Sequence, residues 1–304
     1  VTFKEFPINF SKAYERDWLC MLMGGVTQIH VDVVEATAEP PTDTPIVILQ
    51  RPYVQAISQV LRRWSAAGAR FKLLHLSDEV MEPEHQDPLY AYSLPGCIGV
   101  LRNYLRNDLP TGTESKVLTI PLGWRFCAAP VAPDSDDILK HLPSLPFREH
   151  HWSFFGTDWK GRAEALKPLT SSKLLGNYKF FGQWNDPANL SREEYLDAIL
   201  NSIFVPCPDG VNPETFRFYE ALQAGCIPLI VKTPENAEWL RWVTKHVPVM
   251  GLTSWEDAMR VMISLILKPE TMEIYRNQLV KGWQEWVRSL KTKVTHWLRS
   301  DENA

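Results

Sequence analysis

The stretch from Ser202 to Val231, SIFVPCPDGVNPETFRFYEALQAGCIPLIV, leaves this chain few ways to fold. Ile203, Phe204 and Val205 form an apolar run that Pro206 and Pro208 stop. A polar, glycine-bearing loop follows, and then a segment with helix signals at both ends. Asn212 is a suitable N-cap, Pro213 fits the first helical position, Glu214 lies favourably in the first turn, and Gly225 can close the C-terminus. Ile227 to Val231 supplies a short buried strand. The order strand, loop, helix, strand makes a βαβ unit, whose loop and helix start lie at the carboxyl edge of a parallel sheet, where such folds bind ligands. Free N–H groups there favour an anion, and Arg217, one turn into the helix, can add a fixed charge and a bidentate fork. Glu220, three residues further along the same face, can accept hydrogen bonds from a sugar hydroxyl. A phosphate partner and a hydroxyl partner on one helix point to a nucleotide-sugar site. The plainer alternative is a surface helix on which Arg217 and Glu220 merely pair at i, i+3.

The same alternation runs through the rest of the chain and predicts an α/β protein with parallel sheets. Pro45–Leu49 reads as a strand, Tyr53–Ala67 as an amphipathic helix closed by Gly68, and Phe71–Leu76 as a strand ending in Ser77, Asp78 and Glu79. Cys97–Arg102 and Val117–Ile120 follow as strands. The segment Ala128–Pro146 is rich in Pro, Ser and Asp and reads as a linker. A second series opens with the strand Trp152–Phe155, a turn at Gly156, and a helix led by Gly161 and Arg162. Glycine lets backbone approach a ligand closely, and an arginine at a helix start can grip a diphosphate; a plain turn is the alternative. Tyr178–Gly182 is the next strand, Trp184–Asn189 its loop, and Tyr195–Ser202 a helix, with Ser202 and Asp209 as further polar candidates. The domains expected are 1–145, 146–282 and a terminal helix over 283–304 that crosses back to the first domain or packs on its own.

Composition removes several function classes. A chain of 304 residues is long enough for two α/β cores, and its net charge of −4 argues against a nucleic-acid binder. No apolar run reaches about 18 residues, so no membrane span is expected. Twelve tryptophans can stack on sugar rings, although most should serve as packing residues. The five cysteines are scattered, without a C-x-x-C pair, and indicate neither a zinc site nor a disulfide framework. Cys207 and Cys226 flank the donor loop as small buried residues. Sequons at Asn9 and Asn189 do not fix a compartment. The D-x-D of Asp134, Ser135 and Asp136, with Asp137 beside it, reads as a solvated acidic loop, so no metal and no cofactor are expected.

Pro208, Gly210, Arg217, Glu220, Ala221, Leu222 and the run GCIPLI at 225–230 resemble the donor signature of exostosin-type glycosyltransferases. The strand, F-x-G and later arginine around Gly156 and Arg162 resemble the same family, as do the N-terminal DE at 78–79, RNY at 102–104 and IPLG at 120–123. Among its members, the chlorovirus enzymes that build capsid glycans come first to comparison, then the ribitol-directed xylosyltransferases of animals. The resemblance implies a GT-B fold, two facing Rossmann-like domains with a cleft between them. It also implies an inverting, metal-independent transfer of a sugar from a UDP-sugar, with xylose favoured, to a hydroxyl of an oligosaccharide or glycoprotein glycan, forming a β-linkage.

The implied donor contacts are Gly156, Arg162, Pro208, Gly210, Thr215, Arg217 and Glu220. An inverting transfer needs a base on the acceptor hydroxyl, and Asp78, then Glu79, suits that place; an N-cap Asp followed by a first-turn Glu is the alternative. His75 and His85 are weaker bases. His75, Arg102, Asn103 and Tyr104 are the acceptor-side candidates, with an ion pair as the other reading of Arg102. A cytoplasmic location, in a host cell if the protein is viral, is expected, or the Golgi lumen if an anchor once preceded Val1. A UDP-sugar epimerase of the same fold and a non-catalytic two-domain glycan-binding protein are the competing functions.

Overall fold

The computed structural model describes residues 2–5, 14–24, 30–33, 37–50, 55–80, 89–184, 186 and 188–300. The chain forms two compact units, one of Val1–Leu122 with Leu290–Ala304 and the other of Gly123–Ser289. Asn9, Tyr53 and His85 lie outside the described residues.

In the first unit the elements are β1 (Thr2–Glu5), α1 (Arg16–Leu22), β2 (His30–Val33), β3 (Ile46–Gln50), α2 (Gln55–Ala66), β4 (Phe71–Leu76), β5 (Cys97–Arg102) and β6 (Val117–Thr119). Among the described residues the strands run parallel in the order β2-β1-β3-β4-β5-β6. Strand β4 is buried along its whole length, as expected of a parallel strand covered on both faces. Ile57, Val60, Leu61 and Trp64 recur at i, i+3, i+4 and i+7 of α2, so they share one stripe, which packs with Val47, Leu49, Phe71, Leu73 and Val100. Gly68, at φ 81°, reverses the chain after α2.

The second unit holds α3 (Ile138–His141), β7 (His150–Thr157), α4 (Arg162–Ala165), α5 (Lys167–Thr170), β8 (Gly176–Phe181), α6 (Arg192–Leu200), β9 (Ser202–Pro206) and α7 (Phe216–Gln223). It continues with β10 (Ile227–Val231), α8 (Ala237–Thr244), β11 (Gly251–Leu252), α9 (Trp255–Ile266) and α10 (Pro269–Arg299). Its parallel sheet has the order β11-β10-β9-β7-β8. The chain therefore leaves β7 for β8 on one side and returns to β9 on the other. That reversal is a topological switch point, and ligands of open α/β sheets bind outside the carboxyl ends of the strands that flank it.

Two sequence expectations are corrected here. The residues at 128–146 are packed rather than linking: Ile138 and Leu142 are buried against Val280 of α10, with Ala129 and Val131 alongside. Apolar side chains spaced through a Pro- and Ser-rich stretch fasten it to the second unit. Helix α7 begins at Phe216, and its N-cap is Thr215 rather than Asn212. The Asn212 side chain instead accepts from Glu214 N at 2.9 Å, closing a local turn that delays the helix by about one turn.

Tryptophan serves mostly as packing material. Eight of the twelve are buried: Trp18, Trp64, Trp124, Trp152, Trp239, Trp283, Trp286 and Trp297. Trp283 and Trp286 pack around Tyr219, and His246 stacks on Trp286 with ring centroids 4.6 Å apart. The last turns of α10 group with the first unit, where buried Lys72 donates to Trp297 O at 2.5 Å and Leu298 O at 3.2 Å. These are carbonyls that a helix end leaves without intrahelical partners. Lys72→Met keeps the apolar stem and removes the donor, so urea unfolding should show a loss of about 1–3 kcal/mol. An unchanged midpoint would show that this cap contributes nothing.

Candidate functional site

Two arginines meet at the switch point of the second unit. Arg162 opens α4 directly after Gly161, which takes a left-handed conformation at φ 73°. Its guanidinium donates to Thr157 O at 3.2 Å, Asp209 O at 2.9 Å and Pro208 O at 3.4 Å, so it bridges the last residue of β7 to the loop after β9. Arg217, in the first turn of α7, donates to Phe155 O of β7 at 2.6 Å and lies 4.3 Å from the centroid of the Phe154 ring. Among the described residues neither guanidinium has a carboxylate partner; both are held by backbone carbonyls. Arg217 Nε and Thr215 Oγ1 are buried without a hydrogen-bond partner, and Thr215 provides no side-chain cap to α7. Burial, and then the positive charge of Arg217, push Arg162 down to about 10. Two like charges with unspent donors at a helix start are arranged for a multiply charged anion.

Gly156 and Gly210 belong to this arrangement for a reason other than ligand approach. A side chain at Gly156 would place Cβ 2.6 Å from Arg217 Nη2, and one at Gly210 would lie 3.1 Å from Arg162 Nη2. The glycines make room for the arginines. Pro208 and Asp209 contribute carbonyls, while Ser202 Oγ is turned away and bonds Ala198 O. Glu220 needs correction. It is buried, and Oε1 accepts from Arg125 N at 3.2 Å and Phe126 N at 3.1 Å. Its Oε2 accepts from the Tyr195 hydroxyl at 2.6 Å. With Gln223 Oε1 accepting from Ala128 N, Glu220 anchors the 125–128 segment to α7 rather than presenting a carboxylate to a ribose.

In the first unit the polar groups gather after β4 and β5. Asp78 Oδ2 accepts from Arg102 Nη2 at 2.7 Å and Arg106 Nη1 at 3.0 Å, and all three side chains are almost wholly buried. Burial works to raise the Asp78 pKa, but His75, Arg102 and Arg106 outweigh it and hold it below the usual range. His75 is itself pushed down to about 3 by burial and then by Arg102, so the two guanidiniums are what keep Asp78 ionised near neutral pH. Asp78 is thus engaged in the ion pair that is the other reading of Arg102, which favours a structural role over that of a base. Arg102 spends its remaining donors on Asn103 O, Tyr104 O and the Tyr92 hydroxyl, and His75 Nδ1 lies 2.6 Å from that hydroxyl. Neither is placed to touch an acceptor. Glu79 is half-buried, and Asn103 and Tyr104 are buried. Asn103 Nδ2 donates to Glu15 at 3.0 Å, and Tyr104 adopts φ 60°.

With this geometry in view, the comparisons with known proteins are specific. The family described as RXYLT1 C-terminal domain matches residues 147–301, just over half of the chain. The chain belongs to that family. Ribitol-5-phosphate xylosyltransferase 1 of Mus musculus is 27% identical over 257 residues, covering 75% of this chain and 55% of the mouse protein. The Homo sapiens protein of the same name is 31% identical over 125 residues, 37% of this chain and 28% of its own length. This member of the family thus spans about half the length of the mouse relative it matches. A crystal structure of an α1,3-fucosyltransferase superimposes with a TM-score of 0.52 at 12% identity, covering 98% of this chain and 91% of that one. The fold is therefore the α/β GT-B fold, and family and fold are both of glycosyltransferase kind.

The family match covers β7 to α10 and so includes both arginines. Among the described residues no group of three or more His, Cys, Asp or Glu side chains could hold a metal ion, and no helix is long and apolar enough to cross a membrane. Sequence reasoning missed Tyr195, Arg106 and Glu15. Arg106 had a signal, four residues after Arg102, but Glu15 sits in a charged stretch, AYERDW, that reads as surface. Removing the Asp78 charge tests the structural role assigned to it. Asp78→Asn should cost about 3–5 kcal/mol in urea unfolding, because buried Arg102 loses its counter-charge, while Arg106 keeps its second partner, Asp108. The lowered pKa sets the sign with pH: the contribution is full above the ordinary carboxylate value of about 4 and is lost as the pH falls through the lowered one. Wild-type stability together with lost activity would instead restore Asp78 as the base.

Proposed function

We propose that this protein is an inverting, exostosin-type glycosyltransferase that moves xylose from UDP-xylose to a glycan hydroxyl and forms a β-linkage. The observation that carries the reading is the pair Arg162 and Arg217 at the switch point of the second unit, which among the described residues have no carboxylate partner and leave Arg217 Nε unspent. Asp158 and Asp209 act on Arg162 without pairing with it, and a sugar diphosphate brings negative charge into direct contact with both guanidiniums. On transfer the bond from the anomeric carbon to the diphosphate breaks, and negative charge grows on the leaving oxygen. Two fixed guanidiniums and the start of α7 stabilise that charge with little reorganisation. They supply what a divalent cation supplies in other transferases, which supports transfer without a metal. Xylose is favoured by the name of the relatives, ribitol-5-phosphate xylosyltransferase 1, and that name also makes a ribitol phosphate the first acceptor to try.

Calorimetric titration of UDP into the protein in EDTA tests this directly. Arg217→Ala should weaken UDP binding about 10- to 100-fold, as expected for loss of hydrogen bonds to a charged group worth about 1.5–3 kcal/mol. Arg217→Lys should recover only part of it, because an ammonium cannot reproduce the fork. Binding that is absent in the wild type, or unchanged in Arg217→Ala, would contradict the donor site. Binding that requires a divalent cation would contradict metal independence.

A further inference from the structure

The arginine pair has two unlike flanks, and both belong to the second unit. Beside Arg217 the surface is aromatic. Phe126 packs edge-on to Tyr195 with ring centroids 6.0 Å apart, and the Arg125 guanidinium lies 4.9 Å from the Phe126 ring and 5.7 Å from that of Trp184. Trp184 itself is 58% exposed. Beside Arg162 the groups are polar. Asp209 gives its backbone carbonyl to Arg162 Nε at 2.9 Å, while its side chain reaches a different partner: Oδ1 accepts from Asn236 Nδ2 at 3.3 Å. Asn236 is the N-cap of α8, the helix after β10. The Asp209 carboxylate therefore lies along the carboxyl edge of the sheet, between the ends of β9 and β10, where α/β folds place ligands.

This carboxylate is open to a ligand. Asp209 is half-buried, and among the described residues Asn236 is the one hydrogen-bond donor to its side chain, which leaves Oδ2 without a partner. Burial raises its pKa, opposed by the Asn236 bond; Glu235 raises it further, while Lys160 and Arg162 lower it. A negative charge so close to a diphosphate site weakens anion binding, so its presence there needs a different return. The backbone opposite is strained. Lys160, whose charge acts on Asp209, is exposed in the turn before Arg162 and takes φ 52°. Among the described residues it is the one non-glycine residue of the second unit with a positive φ, and such strain persists where the surroundings fix a functional geometry.

A UDP-sugar carries two groups of different chemistry on either side of its diphosphate. The base is flat and stacks on aromatic faces, whereas the sugar presents hydroxyls that donate hydrogen bonds. The aromatic flank suits the first and the polar flank the second. We infer that Asp209 selects the donor sugar: its carboxylate accepts hydrogen bonds from the hydroxyls of a neutral sugar and repels a sugar that carries a carboxylate of its own. This rests on the UDP-sugar reading above. A charged acceptor makes the stronger kind of hydrogen bond, and a like charge brought opposite it is costly, so one residue both attracts and excludes. Xylose and glucuronic acid are the discriminating pair, because they share the ring and its hydroxyls and differ by the carboxylate on C5.

Calorimetric titration in EDTA tests this with UDP, UDP-xylose and UDP-glucuronic acid against the wild type, Asp209→Asn and Asp209→Ala. The wild type should bind UDP-xylose at least about tenfold more tightly than UDP-glucuronic acid. Asparagine keeps an oxygen for Asn236 and removes the charge, so Asp209→Asn should bring the two sugars within about threefold by gaining on UDP-glucuronic acid. Asp209→Ala removes the acceptor as well and should weaken UDP-xylose about tenfold relative to UDP. UDP alone reports the general effect of the charge on the diphosphate, and its binding shows that each variant is folded. The inference fails if the preference survives Asp209→Ala, or if all three ligands shift together in either variant. Wild-type protein that binds UDP but does not distinguish the two sugars overturns the role of Asp209 alone. Wild-type protein that binds no UDP overturns the donor site, and the role of Asp209 with it.

Discussion

The structure of the second unit turns on an electrostatic debt at its switch point. Arg162 and Arg217 are fixed by the carbonyls of Phe155, Thr157, Pro208 and Asp209, and the Arg217 charge, after burial, lowers the Arg162 pKa. A carboxylate placed between them would remove the repulsion but would also compete with any incoming anion. Backbone carbonyls orient a guanidinium without neutralising it, so the site stays positive until a ligand arrives. Gly156 follows from that requirement, because a Cβ there would collide with Arg217 unless the guanidinium shifted, and one at Gly210 would crowd Arg162. Glu220 follows too: with both oxygens engaged by Tyr195 and the 125–126 backbone, its charge is taken up in bracing α7.

The first unit divides its acidic groups by environment. Asp78 is bound by two guanidiniums and holds the ends of β4 and β5 together, whereas Glu15, among the described residues, accepts from the neutral Ser77 and Asn103 and has an acidic neighbour in Glu79. The ion-paired one braces the strand ends.

Where the sequence was legible, a strong local pattern coincided with the tertiary outcome. Strands Phe71–Leu76, Cys97–Arg102 and Ile227–Val231 have the bounds that apolar runs and turn residues indicate, and Gly225 ends α7 at φ 62°. The start of α7 was misplaced because Asn212, Pro213 and Glu214 are equally good residues for a tight turn. The capping box of Ser191 and Glu194 starts α6 at Arg192, ahead of the Tyr195–Ser202 stretch that reads as helical from its apolar pattern. Arg162 and Arg217 were legible because a glycine and a strand end precede an arginine at a helix start. The fates of Asp78, Glu220 and Glu15 were not legible. Each depends on partners 24 to 95 residues away in the chain, Arg102 and Arg106 for the first, Arg125 and Phe126 for the second, and Ser77 and Asn103 for the third.

A crystal structure with UDP bound tests the central claim most directly, since it locates the anion without reference to turnover. The account predicts diphosphate oxygens within hydrogen-bonding distance of the Arg162 and Arg217 guanidiniums, beside the 208–216 loop at the ends of β7 and β9. UDP bound elsewhere, with both arginines still held only by backbone carbonyls, would contradict it.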